Sequence, residues 1–149
     1  MIDGTQKNGT QAHRALFFYH AKGTLKNMTM VNPICIAAAY ETGFFVGQAV
    51  TYAAASYENL AVIGGTCHAR NAAKIDAIGG IVGRSRHDSA FTNCYADMDV
   101  MVEDNSAEFS GVGGIVGRGQ KLGDMKNCET TVDVLNTADV VTDSKGERI

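Results

Sequence analysis

The sequence predicts an all-β fold, a β-solenoid of about four rungs, on three observations. Residues 79–100 (GGIVGRSRHDSAFTNCYADMDV) and 113–134 (GGIVGRGQKLGDMKNCETTVDV) align without a gap; they share six residues in GGIVGR, two in Asn-Cys and two in Asp-Val, 10 of 22. The segment after each Asn alternates apolar and polar side chains, the period of a strand with one buried face. The chain has 17 Gly against 1 Pro and no good amphipathic helix, which suits many tight turns.

The repeat reaches further back. Stepping back from Asn127 finds Asn93, then Asn59 in YENLAVIG and Asn27 in LKNMTMVN, at nearly equal spacings. The upstream anchor recurs as GFFVG at 43–47 and as LFFY at 16–19, with Phe18 in the place of a Gly. Residues 1–149 therefore read as one domain, with repeats at about 15–42, 43–78, 79–112 and 113–135 between polar tails at 1–14 and 136–149.

Each GGIVG segment is expected to form a short strand, closed by Gly47, Gly83 or Gly117 in a tight turn. Asn27, Asn59, Asn93 and Asn127 are expected in left-handed turns, which Asn tolerates. In rungs about 4.8 Å apart, their amides can bond from one rung to the next. Stacking the units on Asn gives columns. Met28, Leu60, Cys94 and Cys128 lie one residue after it, and Asn32, Gly64, Met98 and Val132 five after. Ile34, Thr66, Val100 and Val134 lie seven after, and Cys35, Cys67, Met101 and Leu135 eight after. The Ala-rich stretch Ala49–Leu60 falls in the variable slot and reads as a loop decoration.

GGIVG, a variable spacer and NCY with an alternating strand resemble the GLUG repeat, named for its Gly-Leu-any-Gly core. The resemblance covers roughly residues 15–135 and is strongest in the two C-terminal units. It implies a right-handed parallel β-helix with a structural or adhesive role. The motif occurs in large bacterial surface proteins, including adhesin-like proteins and the non-catalytic parts of IgA-cleaving metallo-endopeptidases. It brings no catalytic residue to this sequence.

Composition narrows the function classes. The formal net charge is −3, and no Lys/Arg cluster exceeds the short GRSR at 83–86, so nucleic acid is not an expected partner. No apolar run is long enough for a membrane-spanning helix, and the N-terminus lacks an apolar signal core. An extracellular or cell-surface location is expected, with any export signal outside this chain.

The chemistry-bearing motifs are few. SGVGGIVG at 110–117 puts Val116 where a dinucleotide fingerprint needs its third Gly, so the glycines read as turns and no cofactor is expected. HExxH and GxSxG are absent. The four cysteines form no CxxC, and no metal site is expected. Cys94 with Cys128, and Cys35 with Cys67, fall on adjacent rungs, as buried thiols or as bridges that the rung spacing permits.

Asp97, Asp99, Glu129 and Asp133, with Arg84, Arg86, His87 and Arg118, are the groups that a carbohydrate-active β-helix enzyme would need in one groove. Asp99 and Asp133 share a column, which favours a solvated surface. The preferred reading is non-catalytic, with a host protein or glycan as partner. Arg84, Arg86, His87, Tyr95, Arg118 and Lys121 are its ligand-binding candidates. Phe44, Tyr52 and Tyr57 are further aromatics weighed as exposed anchors, with packing of a loop over the β-helix the favoured reading of each. End-to-end or edge self-association is expected where end rungs lack caps.

Overall fold

The computed structural model of the chain describes residues 15–19, 22–37, 40–49, 55–70, 74–102, 108–109 and 111–136. The first unit gives β1 (Phe17–Tyr19), β2 (Gly23–Val31) and β3 (Ile34–Ala37). The second gives β4 (Glu41–Gly43), β5 (Val46–Ala49) and the long β6 (Ala55–Ala69). The third gives β7 (Lys74–Ile75), β8 (Ala77–Gly79), β9 (Val82–Ser85), β10 (Ser89–Thr92) and β11 (Tyr95–Val102). The fourth gives β12 (Glu108–Phe109), β13 (Val112–Gly113), β14 (Val116–Gly119), β15 (Leu122–Lys126) and β16 (Glu129–Asn136). The described chain is all-β, and every pairing between these strands is parallel.

Each sheet collects equivalent segments of successive units. One runs β1-β5-β9-β14, a second β4-β8-β13, and a third joins β2, β3, β6, β10, β11, β15 and β16. The GGIVG motif builds the fold where the first two sheets meet. A methyl group on Gly79 would lie 2.1 Å from the Val82 carbonyl oxygen and 2.6 Å from the Gly117 nitrogen. One on Gly83 would lie 2.6 Å from the Gly47 carbonyl oxygen and 2.7 Å from the Thr42 nitrogen. Main chain packs directly on main chain here, and only glycine leaves room for it.

Inward columns form the core. Tyr57, Leu60, Val62, Phe91, Cys94, Ala96 and Val100 are buried, and the Tyr57 and Phe91 rings stack at 4.9 Å. Phe44 is also buried, 1% exposed, against Gly65. In the next unit Gly80 takes the position of Phe44, and Met98 pairs with Gly65. Gly80 itself lies against Ala96 and the Gly114 carbonyl, so small residues meet there and the packing stays dense.

Three expectations are corrected. Phe44 and Tyr57 pack, as favoured over the anchor reading, but in the core rather than as a loop laid over the β-helix; Tyr52 lies outside the described residues. Ala49–Leu60 is no decoration at its ends, since Ala49 closes β5 and residues 55–60 open β6. The seventh and eighth columns slip by one. Cys35 and Cys67 stack with each other but stand opposite Val100, while Ile34 and Thr66 stand opposite Asp99. The cause is an extra residue in the first two units. Asn32 (φ 48°) and Gly64 (φ 61°) take left-handed conformations there, and the pairing with β11 shifts between Ala96 and Met98. Asp97 accepts from the Gly64 N–H at 3.3 Å at this bulge.

Candidate functional site

The four column asparagines run in a line across the third sheet, inside β2 and β6 and at the breaks between β10 and β11 and between β15 and β16, with φ of 59°, 51°, 53° and 51° in chain order. Asn59 Nδ2 donates to Asn27 Oδ1 at 2.9 Å, Asn93 Nδ2 to Asn59 Oδ1 at 3.0 Å, and Asn127 Nδ2 to Asn93 Oδ1 at 3.2 Å. Each amide both donates and accepts in the middle of the ladder, so its direction is fixed from one unit to the next.

Gly47, Gly83 and Gly117 lie inside β5, β9 and β14 rather than in tight turns, and the spacers run from the last two of these strands to Asn93 and Asn127. In the third unit, buried Ser85 and Ser89 pin the turn. Ser85 Oγ donates to Ser89 Oγ at 2.8 Å, and Ser89 Oγ donates to the His87 carbonyl at 2.9 Å. With both hydroxyls turned inward, Arg86 and Asp88 face solvent and His87 is half-buried. Lys121 of the next spacer is exposed and reaches Asp88 at 2.8 Å. An exposed pair of this kind contributes at most about 1 kcal/mol, so it arranges the surface more than it stabilises it. Tyr95 is half-buried on the outer face, paired in register with Ala61 and Glu129.

Arg84 and Arg118 behave differently. They pair in register on β9 and β14, opposite Gln48 on β5, and turn toward the carboxylates ahead of the glycine motif. Arg84 Nη1 donates to Glu41 Oε1 at 2.9 Å and lies 3.7 Å from Asp76 Oδ2; Arg118 Nη1 lies 3.4 Å from Asp76 Oδ2. Glu41 is 1% exposed, and the Arg84 side chain 12%. Arg84 is thus a buried ion-pair partner rather than a presented cation, while Arg118 is partly presented. The Gln48 amide lies 3.4 Å from Glu41 Oε1 in one orientation and, turned over, accepts from Arg86 Nε at 3.0 Å. The shorter contact to a charged donor is the stronger.

Sequence reasoning missed Glu41 and Asp76. The signal available was a lone carboxylate in an apolar run just before each glycine motif, YETGFF and KIDAIGG. Such a charge needs a buried partner.

The carboxylates considered for catalysis are elsewhere. Asp99 and Asp133 are exposed neighbours on β11 and β16, Glu129 is exposed, and Asp97 serves the bulge. They belong to the third sheet, whereas Arg84 and Arg118 belong to the first and are engaged with Glu41 and Asp76. Among the described residues, no three His, Cys, Asp or Glu side chains are grouped as metal ligands.

All four cysteines are free thiols. Burial pushes the Cys94 thiol up to about 11. A hydrogen bond with Cys35, and then burial, raise Cys67 well above its ordinary value. Burial likewise raises the Tyr57 phenol. These are groups held neutral in a core, not activated nucleophiles.

No curated protein and no solved structure matches the chain. The family model described as the GLUG motif matches residues 76–101, the span from Asp76 through the glycine motif, the pinned spacer and Asn93 into β11. With its glycines in main-chain contact and the same pattern repeated at 113–134, this chain is a GLUG-motif protein.

Proposed function

We propose that the chain is a right-handed parallel β-helix of about four rungs, and that it serves as a non-catalytic structural or adhesive segment of a secreted or cell-surface bacterial protein. The spacers after β9 and β14 face a host protein or glycan. The observation that carries this reading is a division of labour. Of the residues common to the two clearest units, the glycines make main-chain contacts, the asparagines ladder bonds and Arg84 a largely buried ion pair, while Arg86, Asp88 and Lys121 of the differing spacers are exposed. Such a division holds the scaffold constant and frees the surface to vary.

Arrays of glycans and host surface proteins, probed with the labelled chain, test it. The reading expects a hit that the combined variant Arg86→Ala, His87→Ala, Asp88→Ala and Lys121→Ala loses while its fold is kept. Release of new chain ends from a polysaccharide panel by the unaltered protein would replace the binding role with an enzymatic one.

A further inference from the structure

We propose that the two ends of the stack are complementary and that a second copy of this chain docks head to tail, its first unit on the fourth unit of its neighbour. This rests on the stacked fold and not on the adhesive reading; an enzymatic role would leave it standing.

The fourth unit exposes what the middle units bury. Ser89, Phe91 and Val100 are fully buried, yet their register partners Leu122, Met125 and Val134 are 43%, 46% and 54% exposed. These are inward columns of the core, cut across and open. Among the described residues, the edges of β14, β15 and β16 that face away from the third unit pair with no further strand, and their main-chain groups are a template for one. At the other end, Phe17 is 41% exposed, and Leu25, Met28 and Met30 are half-buried ends of the same columns.

The Asn ladder gives this match a direction. Each Asn donates to the one before it, so among the described residues Asn127 Oδ1 has no ladder donor and Asn27 Nδ2 no ladder acceptor. A copy whose first unit sits on the fourth supplies the missing donor to the missing acceptor. The same move sets Leu25, Met28 and Met30 over Met125, Cys128 and Thr130, as Tyr57, Leu60 and Val62 sit over Leu25, Met28 and Met30 within one chain. Two copies joined head to head or tail to tail would face donor with donor or acceptor with acceptor.

One contact opposes docking. Lys26 would fall beside Lys126, which Asp124 partly neutralises at 3.1 Å. The joint therefore tightens as salt rises, because screening weakens the repulsion.

Because such a contact is heterologous and does not close on itself, it generates open assemblies. The test is solution mass, by light scattering, of the full chain over a wide concentration range. The unaltered protein is expected to grow past a dimer. Met125→Asp blocks the tail and Phe17→Asp the head; each alone stays monomeric, and an equimolar mixture stops at a one-to-one dimer. Far-UV spectra check that both are folded. Asn27→Gly, which keeps the left-handed turn and removes the donor, weakens association severalfold without unfolding the monomer. A protein monomeric at every concentration overturns the proposal. So does Phe17→Asp dimerising alone through its tail, Met125→Asp dimerising alone through its head, or a mixture of the two that stays monomeric.

Discussion

Replacing Asn93 separates the two physical roles of the ladder residue. Its amide donates to Asn59 at 3.0 Å and accepts from Asn127 at 3.2 Å, and its backbone sits at φ 53°. Exposed amide bonds contribute at the low end of the usual range, about 0.5 kcal/mol each. An alanine forced into the left-handed region adds about 1 kcal/mol. Asn93→Ala should therefore cost about 2 kcal/mol, the sum of two bonds and the turn. Asn93→Gly loses both bonds but adopts the turn freely, so its cost should stay near about 1 kcal/mol, raised slightly by its larger unfolded-state entropy. Asn127 makes one ladder bond, so Asn127→Ala should fall between them, at about 1.5 kcal/mol. The assay is urea unfolding followed by circular dichroism, with midpoints compared at a common slope. If Asn93→Gly costs as much as Asn93→Ala, the left-handed turn is not what asparagine supplies. If Asn127→Ala costs more than Asn93→Ala, the bonds are not counted correctly.

Further outcomes follow from other parts of the structure. Gly79→Ala drives a methyl group into the Val82 and Gly117 main chains and should cost more than about 2 kcal/mol in the same assay; Gly23→Ala, with open space but φ 91°, should cost about 1 kcal/mol. Arg84→Met takes the charged partner at 2.9 Å from the buried Glu41 carboxylate and should cost about 3 kcal/mol, and adding Glu41→Gln should recover part of it in a double-mutant cycle. Stability should be full below pH 9 and fall as pH rises toward 11. The raised Cys94, Cys67 and Tyr57 groups stay neutral when folded, while their unfolded counterparts ionise first; unfolding midpoints at a series of alkaline pH values check this sign.

The all-β class and the GLUG motif are legible in the sequence because both rest on local periodicity. Glycine and asparagine at a fixed spacing announce turns wherever they recur, and the alternation after each Asn needs no partner to be read. What depends on the neighbouring unit is hidden. A single inserted residue at Asn32 and Gly64 leaves the alternation looking intact but moves Cys35 and Cys67 onto the Val100 column. Phe44 reads as an unusual aromatic in a glycine slot until Gly65 is seen to vacate its volume. Tyr57 reads as a loop residue packed over the fold rather than as core because its stacking partner, Phe91, lies in the next unit of the chain. Arg84 and Arg118 read as free cations for the same reason, since the acids that hold them come from β4 and from the residue ahead of β8.

In a stack of this kind each unit is held only by its neighbours. Native-state hydrogen exchange of the dilute, monomeric protein measures that directly. The strongest amide protection is expected in β6, β9 and β11, which have bonded strands on both sides, with progressively weaker protection toward β2 and β16 at the ends. Protection in β16 equal to or greater than that in β11, or a single uniform level from β2 to β16, would contradict it.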